Sequence, residues 1–226
     1  MKVIIAGGTG YIGREILLQC LANPHITSII ALSRRELGFI HDKLRVHLMS
    51  EEDFLSYSDP ALRDELAGAE ACIWALGLRP SQAFNNESAR RVSVDYLAAA
   101  ATAFTGASNG RERTSGNRFR FVYISGAGVE RDQGKSLRFL GKFRRLRGEA
   151  ENVLLRYAET NPEAFEPYIL RPVLVPSSAR TLKGRLWSLA PSVGLDKLVK
   201  AALGIALNGY KEITVTNQML VDWEMR

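Results

Sequence analysis

Several things are scarce in this chain of 226 residues, and each scarcity removes an explanation. It holds 2 cysteines, Cys20 and Cys72, both inside apolar segments. A disulfide-stapled domain needs more, so both read as buried thiols in a reducing compartment. The 3 histidines, His25, His41 and His47, fall near the second and third expected strands at spacings that suit no metal, and read as surface or packing residues. No apolar run reaches the roughly 18 residues that a membrane helix needs. The opening MKVIIAG passes straight into a glycine turn and lacks a signal core. No membrane partner is therefore expected, and the cytoplasm is the expected location. A large excess of one charge is also missing. The net charge of +6 suits an anionic small molecule but is too weak to point to nucleic acid.

What is present is an alternation. Apolar strands are expected over Val3–Ala6, Ile26–Leu32, Leu44–Met49, Ala71–Leu76, Phe119–Ile124 and Phe165–Leu170, with a short last one over Ile213–Thr216. Between them lie helical patterns: from the first glycine turn to about Ala22, then Pro60–Leu66, Ser88–Thr105, Ser136–Ala158 and Val193–Leu207. Strands separated by helices must pair in parallel, with crossovers on both faces. The expected fold is α/β: a doubly wound, mostly parallel Rossmann sheet in a single domain spanning 1–226. Residues 173–192 would form a small substrate-side cover, and the polar run Gly106–Asn117 an exposed loop.

The first turn carries the chemistry. Gly7-Gly8-Thr9-Gly10-Tyr11-Ile12-Gly13 follows a strand and opens a helix, the context a dinucleotide-binding glycine loop requires. One glycine serves the tight turn, one lets backbone approach a pyrophosphate, and one lets helix and strand pack closely. Phosphate would meet the helix N-terminus, with Thr9, Tyr11 and Ile12 around it. At the end of the second strand, where an acid would hold a ribose diol, Arg34 and Arg35 stand instead. Guanidinium groups suit a 2′-phosphate, so NADP is expected in preference to NAD. Asp53 could accept from an adenine amino group or cap a helix. Ala75 and Gly77 close the fourth strand beside the cofactor path.

With these residues in place the chain resembles the atypical short-chain dehydrogenases/reductases. It is similar to small NAD(P)-binding proteins related to human Tat-interacting protein 30 and to the nucleoside-sugar epimerase-like group. The resemblance rests on the glycine loop, Ala75–Gly77, RRVSVDY over Arg90–Tyr96, FVYISGAG over Phe121–Gly128, Gly148-Glu149 and Leu170-Arg171-Pro172. It implies hydride transfer assisted by a serine, a tyrosine and a lysine, and often a homodimer through helices flanking the sheet. Ser125 matches the serine, and Pro172 lies on the loop beside the nicotinamide. The tyrosine and lysine positions hold Phe143 and Arg147. Phenylalanine carries no proton; arginine keeps the charge and could still grip ribose. Tyr11, Tyr96 and Tyr123 are the candidate replacements. The expected function is an NADP-binding oxidoreductase acting on a small carbonyl or alcohol with altered acid–base chemistry. Two alternatives stay open: a non-redox isomerase, cyclase or dehydratase, and an inactive cofactor-sensing or partner-binding protein.

The helix around Phe143 starts with Lys142, Arg144, Arg145 and Arg147, which do not favour its dipole. Arg144 and Arg145 read as a solvated face, with a phosphate or acidic partner as the alternative; Glu149 can pair with Arg145 and Glu151 with Arg147, each four residues earlier.

Overall fold

The computed structural model describes residues 1–78, 86–106, 118–176 and 192–224. Seven strands form one sheet: β1 (Lys2–Ala6), β2 (Ser28–Ser33), β3 (Leu44–Leu48), β4 (Ala71–Trp74), β5 (Phe119–Ile124), β6 (Phe165–Arg171) and β7 (Thr214–Thr216). Their order is β3-β2-β1-β4-β5-β6-β7, with every neighbouring pair parallel. This is the doubly wound Rossmann sheet expected from the alternation. The order reverses between β1 and β4, and such sheets bind ligands at that crevice, outside the strands' carboxyl ends.

The strands are apolar on both faces because helices cover both. Along β1, Val3 and Ile5 face one layer while Ile4 and Ala6 face the other. The first layer holds α1 (Tyr11–Ala22) and the late helix α7 (Leu195–Asn208), through Ile16, Leu17, Leu198 and Ile205. The second holds α3 (Pro60–Leu66), α5 (Tyr96–Gly106) and α6 (Gly141–Thr160). It is rich in rings: Trp74 stacks on Phe121, and Phe104 packs on both Phe119 and Phe121. Both cysteines are buried free thiols, and burial pushes the Cys20 thiol up to about 12.

The structure differs locally from the sequence expectation in four places. The stretch read as one helix over Ser88–Thr105 is α4 (Asn86–Arg90), a π-helical turn Arg91–Asp95, then α5. The wider turn buries Ser93 and Val94, and hydrophobic period alone does not register it. The helix expected from Ser136 starts only at Gly141, since Leu140 takes a left-handed φ of 49°. Two short helices were not anticipated, α2 (Asp53–Ser56) and α8 (Asn217–Val221). The expected loop over Gly106–Asn117 and cover over 173–192 fall largely on 107–117 and 177–191, outside the described residues. Among the described residues, no helix is long and apolar enough to cross a membrane.

Candidate cofactor site

The glycine loop is built by close approach. Gly7 follows β1 with φ of +92°, a region that disfavours side chains. A Cβ there would also lie 2.7 Å from the Ala75 carbonyl carbon, where β4 ends. A Cβ on Gly13 would overlap the Gly7 carbonyl oxygen, so α1 rests directly on the turn. The Gly10 amide closes that turn by donating to Gly7 O at 2.9 Å. Gly10 is also the N-cap of α1. It provides no side-chain cap, and the first turn carries no acid. The N-terminal amides of α1 therefore face the crevice with no carboxylate competing for them, as an anion requires. Thr9 and Gly10 are exposed there, and Ile12 packs its side chain into the core below. The Tyr11 hydroxyl reaches over to donate to Pro176 O at 2.8 Å, linking the glycine loop to the segment after β6.

Across the crevice, β2 ends in Ser33, 5% exposed. Its hydroxyl donates to Arg35 O and accepts from Arg35 N, which turns the chain and leaves Arg34 and Arg35 exposed. Asp53 makes a reciprocal cap: its carboxylate accepts from Ser50 N at 2.8 Å while its own amide donates to Ser50 Oγ at 3.1 Å. The Ser50 amide, and then its hydroxyl, hold the Asp53 carboxyl below its ordinary value. Ala75 continues the ladder by donating to Ala6 O.

A second corner of the crevice lies between the ends of β4, β5 and β6. Arg147 enters it from α6. Its Nη1 donates to Ser125 O at 2.6 Å and its Nη2 to Leu78 O at 3.4 Å, so one guanidinium ties the β4 end to the β5 end. Gly126 makes the room, because a Cβ there would sit 2.7 Å from Nη1. Phe143, in the tyrosine's place, lies under the guanidinium with 4.8 Å from its carbon to the ring centroid, a cation–π contact. Pro172 O accepts from Ala127 N, joining the loops after β5 and β6.

Ser125 differs from its expected role. It is 4% exposed, and its hydroxyl donates to Glu151 Oε1 at 2.6 Å, away from the crevice. Glu151 is fully buried. Its Oε2 accepts from Arg131 Nε at 2.7 Å, its Oε1 from Arg171 Nε at 3.0 Å, and Arg171 Nη2 also donates to Oε2. Arg131 continues to Thr214 Oγ1 on β7 at 2.9 Å. Sequence reasoning missed this cluster and paired Glu151 with Arg147. It also paired Glu149 with Arg145, whereas Glu149 accepts from Arg90 Nη2 at 2.8 Å. A signal was available: Glu151 stands three residues before Leu154 and one after Ala150, on the inward edge of the α6 stripe.

The candidate replacement tyrosines are dispersed. Tyr123 lies below Ser125 in the α6-side core, and burial pushes its phenol up. Tyr96 is buried against Phe54 with its hydroxyl unpartnered. Both phenols are buried, Tyr123 beside Ser125 and Arg147.

The basic start of α6 is partly solvated, with Lys142 exposed, but Arg144 and Arg145 are also bonded to the chain. Arg144 Nε donates to Gly128 O, Arg145 Nη1 to Lys135 O at 3.0 Å, and Gln133 Nε2 to Arg145 O. These contacts fasten the 126–140 excursion onto the helix. Gly148 lets it pass, since a Cβ there would overlap the Glu130 carbonyl.

No family model matches the chain. It is 31% identical over 122 residues to the leucinostatins biosynthesis cluster protein T of Purpureocillium lilacinum, a match spanning 54% of this chain and only 42% of that protein. Among solved structures it is similar to MoeE5 in complex with UDP-glucose and NAD, with TM-score 0.68, 18% identity and coverage of 96% of this chain and 75% of that one. It is also similar to DesIV, a dTDP-glucose 4,6-dehydratase from Streptomyces venezuelae, with TM-score 0.66, 15% identity and coverage of 98% and 80%. These matches correct the expectation of NADP. Six of the similar structures, those of MoeE5 and DesIV among them, are described with NAD. The physical reason lies in the β2 turn: Ser33 fixes the backbone, and arginines left exposed beyond it do not by themselves build a phosphate site. The chain thus has a Rossmann fold and resembles, at the level of fold, epimerases and a dehydratase of nucleoside sugars.

Proposed function

We propose that this chain binds NAD and acts as a non-redox protein of the epimerase/dehydratase kind, on a small hydroxyl-bearing substrate, with the cofactor retained. The observation that carries the reading is the contrast within one crevice. The glycine cradle and the uncapped α1 are open to a pyrophosphate, while on the α6 side Phe143 stands against Arg147 and carries no proton, and Tyr123 is buried beside Ser125. Gly7, Thr9, Gly10, Tyr11, Ile12 and Gly13 would hold the pyrophosphate, with Ala75 and Gly77 alongside. Arg147 and Pro172 would border the nicotinamide ribose. Arg34 and Arg35 would flank the adenosine, with Asp53 at its rim. Bound NAD would be retained as part of the site, with no net oxidation of the substrate. The matched proteins named as acting on or binding UDP-glucose, UDP-glucuronic acid or dTDP-glucose support a sugar or alcohol substrate.

Calorimetry with NAD tests the first half, and NMR of UDP-glucose and dTDP-glucose incubated with the NAD-loaded protein tests the second. The expected result is NAD binding, a changed sugar signal and no accumulating NADH. Absence of NAD binding, or steady NADH accumulation, overturns the reading. A second reading, NAD binding without turnover, is favoured by the Ser125 hydroxyl facing Glu151. It predicts NAD binding with every sugar signal unchanged.

A further inference from the structure

The buried carboxylate of Glu151 lies outside the crevice, yet it ends a continuous chain of contacts that enters it. Its Oε1 accepts the Ser125 hydroxyl at 2.6 Å, and the carbonyl of the same Ser125 accepts Arg147 Nη1 at 2.6 Å. Arg147 then reaches Leu78 O at the β4 end. From the other side, Arg171, the last residue of β6, and Arg131, from the excursion, converge on the carboxylate. The Ser125 amide also donates to Leu170 O at 2.9 Å. Four segments that would border a nicotinamide ribose are therefore tied through two residues: the ends of β4, β5 and β6, and the face of α6.

Such a cluster is poorly explained as a source of stability. A carboxylate taken fully out of water pays a desolvation cost that its ion pairs at best offset, and an apolar replacement is often as stable. What it provides is a fixed geometry. The Ser125 hydroxyl is committed to Glu151 while its carbonyl is committed to Arg147, so one residue couples the carboxylate to the guanidinium. Gly126, beside it, leaves the space for the guanidinium.

We infer that Glu151 is a positioning residue for NAD: through Ser125 it holds Arg147 at the ribose side of the crevice and so sets cofactor affinity. The inference rests on the NAD-binding reading above. Glu151 touches neither cofactor nor substrate, and its effect is carried by Arg147.

The test is a double-mutant cycle on NAD affinity, read by calorimetry on folded protein, with thermal unfolding recorded for every variant. Arg147→Ala alone is expected to weaken NAD binding about tenfold, and Glu151→Gln by a similar factor. The double variant should lose no more than the larger single loss, because both act on one contact. Glu151→Asp, which keeps the charge, should recover part of the affinity. Ser125→Ala carries the same test should Glu151→Gln fail to fold: a loss of several-fold, also non-additive with Arg147→Ala. A merely structural role would lower the unfolding temperature and leave the affinity of the folded fraction unchanged. Unchanged affinity in folded Glu151→Gln or Ser125→Ala, or losses that multiply in the double variants, overturns the inference. Absence of NAD binding by the wild-type chain overturns the parent reading instead, so the two failures are distinct.

Discussion

The two sides of the crevice treat their polar groups in opposite ways. On the glycine-loop side, α1 begins with no side-chain cap and no acid, and its amides face outward. On the α6 side nearly every charged group is engaged internally. Arg144, Arg145 and Arg147 donate to backbone carbonyls, and Glu151 accepts from Ser125, Arg131 and Arg171. One side is prepared for a ligand, and the other is prepared to hold its own shape. The difference separates cofactor binding from proton transfer: the first needs exposed donors on a rigid turn, and the second needs a titrating group with a path to the substrate.

The largest expected effect lies on the open side. Gly13→Ala puts a methyl into the Gly7 carbonyl, and neither backbone can yield without opening the turn. NAD binding should fall below detection by calorimetry, with a stability loss of about 1–3 kcal/mol in denaturant unfolding. Retained binding would mean that the cradle is not the phosphate site.

Gly148→Ala is the matching change on the closed side. Its methyl would meet the Glu130 carbonyl and the Arg131 amide. The excursion must move away from α6, taking Arg131 from Glu151. A loss of about 1–3 kcal/mol is expected here too, but with NAD binding weakened rather than abolished. Equal loss of binding in the two variants would erase the distinction between the two sides.

A smaller effect is expected from Phe143→Tyr. The ring and its contact with Arg147 survive, so the unfolding midpoint and NAD affinity should stay close to wild type. Restoring a phenol should not by itself produce net NADH formation from UDP-glucose, because the Ser125 hydroxyl still points to Glu151. Appearance of NADH would show that one side chain separates this corner from a dehydrogenase.

The open side was legible in the sequence and the closed side was not, for a physical reason. A glycine loop is a local device: strand, turn and helix are contiguous over Lys2–Ala22, and spacing alone specifies it. The same holds for the central strands of the sheet, which announce themselves by apolar runs. The Glu151 cluster is non-local. Local rules offered Arg147, four residues away, as its partner, and the actual partners come from the excursion and the end of β6. The misreading of Arg34 and Arg35 has the same origin. Residue type suggested a phosphate, while the conformation set by Ser33 is what places the two side chains.

The smallest effect concerns two helix starts near the same crevice. Helix α2 has the cap that α1 lacks, the reciprocal Ser50–Asp53 pair. A carboxylate whose folded pKa is depressed adds stability above its unfolded value, and that stability is lost as pH falls through the folded value. The α2 contribution is therefore complete at neutral pH and fades only below about pH 4. Asp53 is open to solvent, so the contribution is small. Wild type and Asp53→Ala should differ slightly in unfolding midpoint at neutral pH and converge on acidification. If Asp53 serves only as this cap, NAD affinity at neutral pH should be the same in both. A clear loss of affinity in Asp53→Ala would instead assign its second carboxylate oxygen to the adenine, and would extend the open side of the crevice as far as α2.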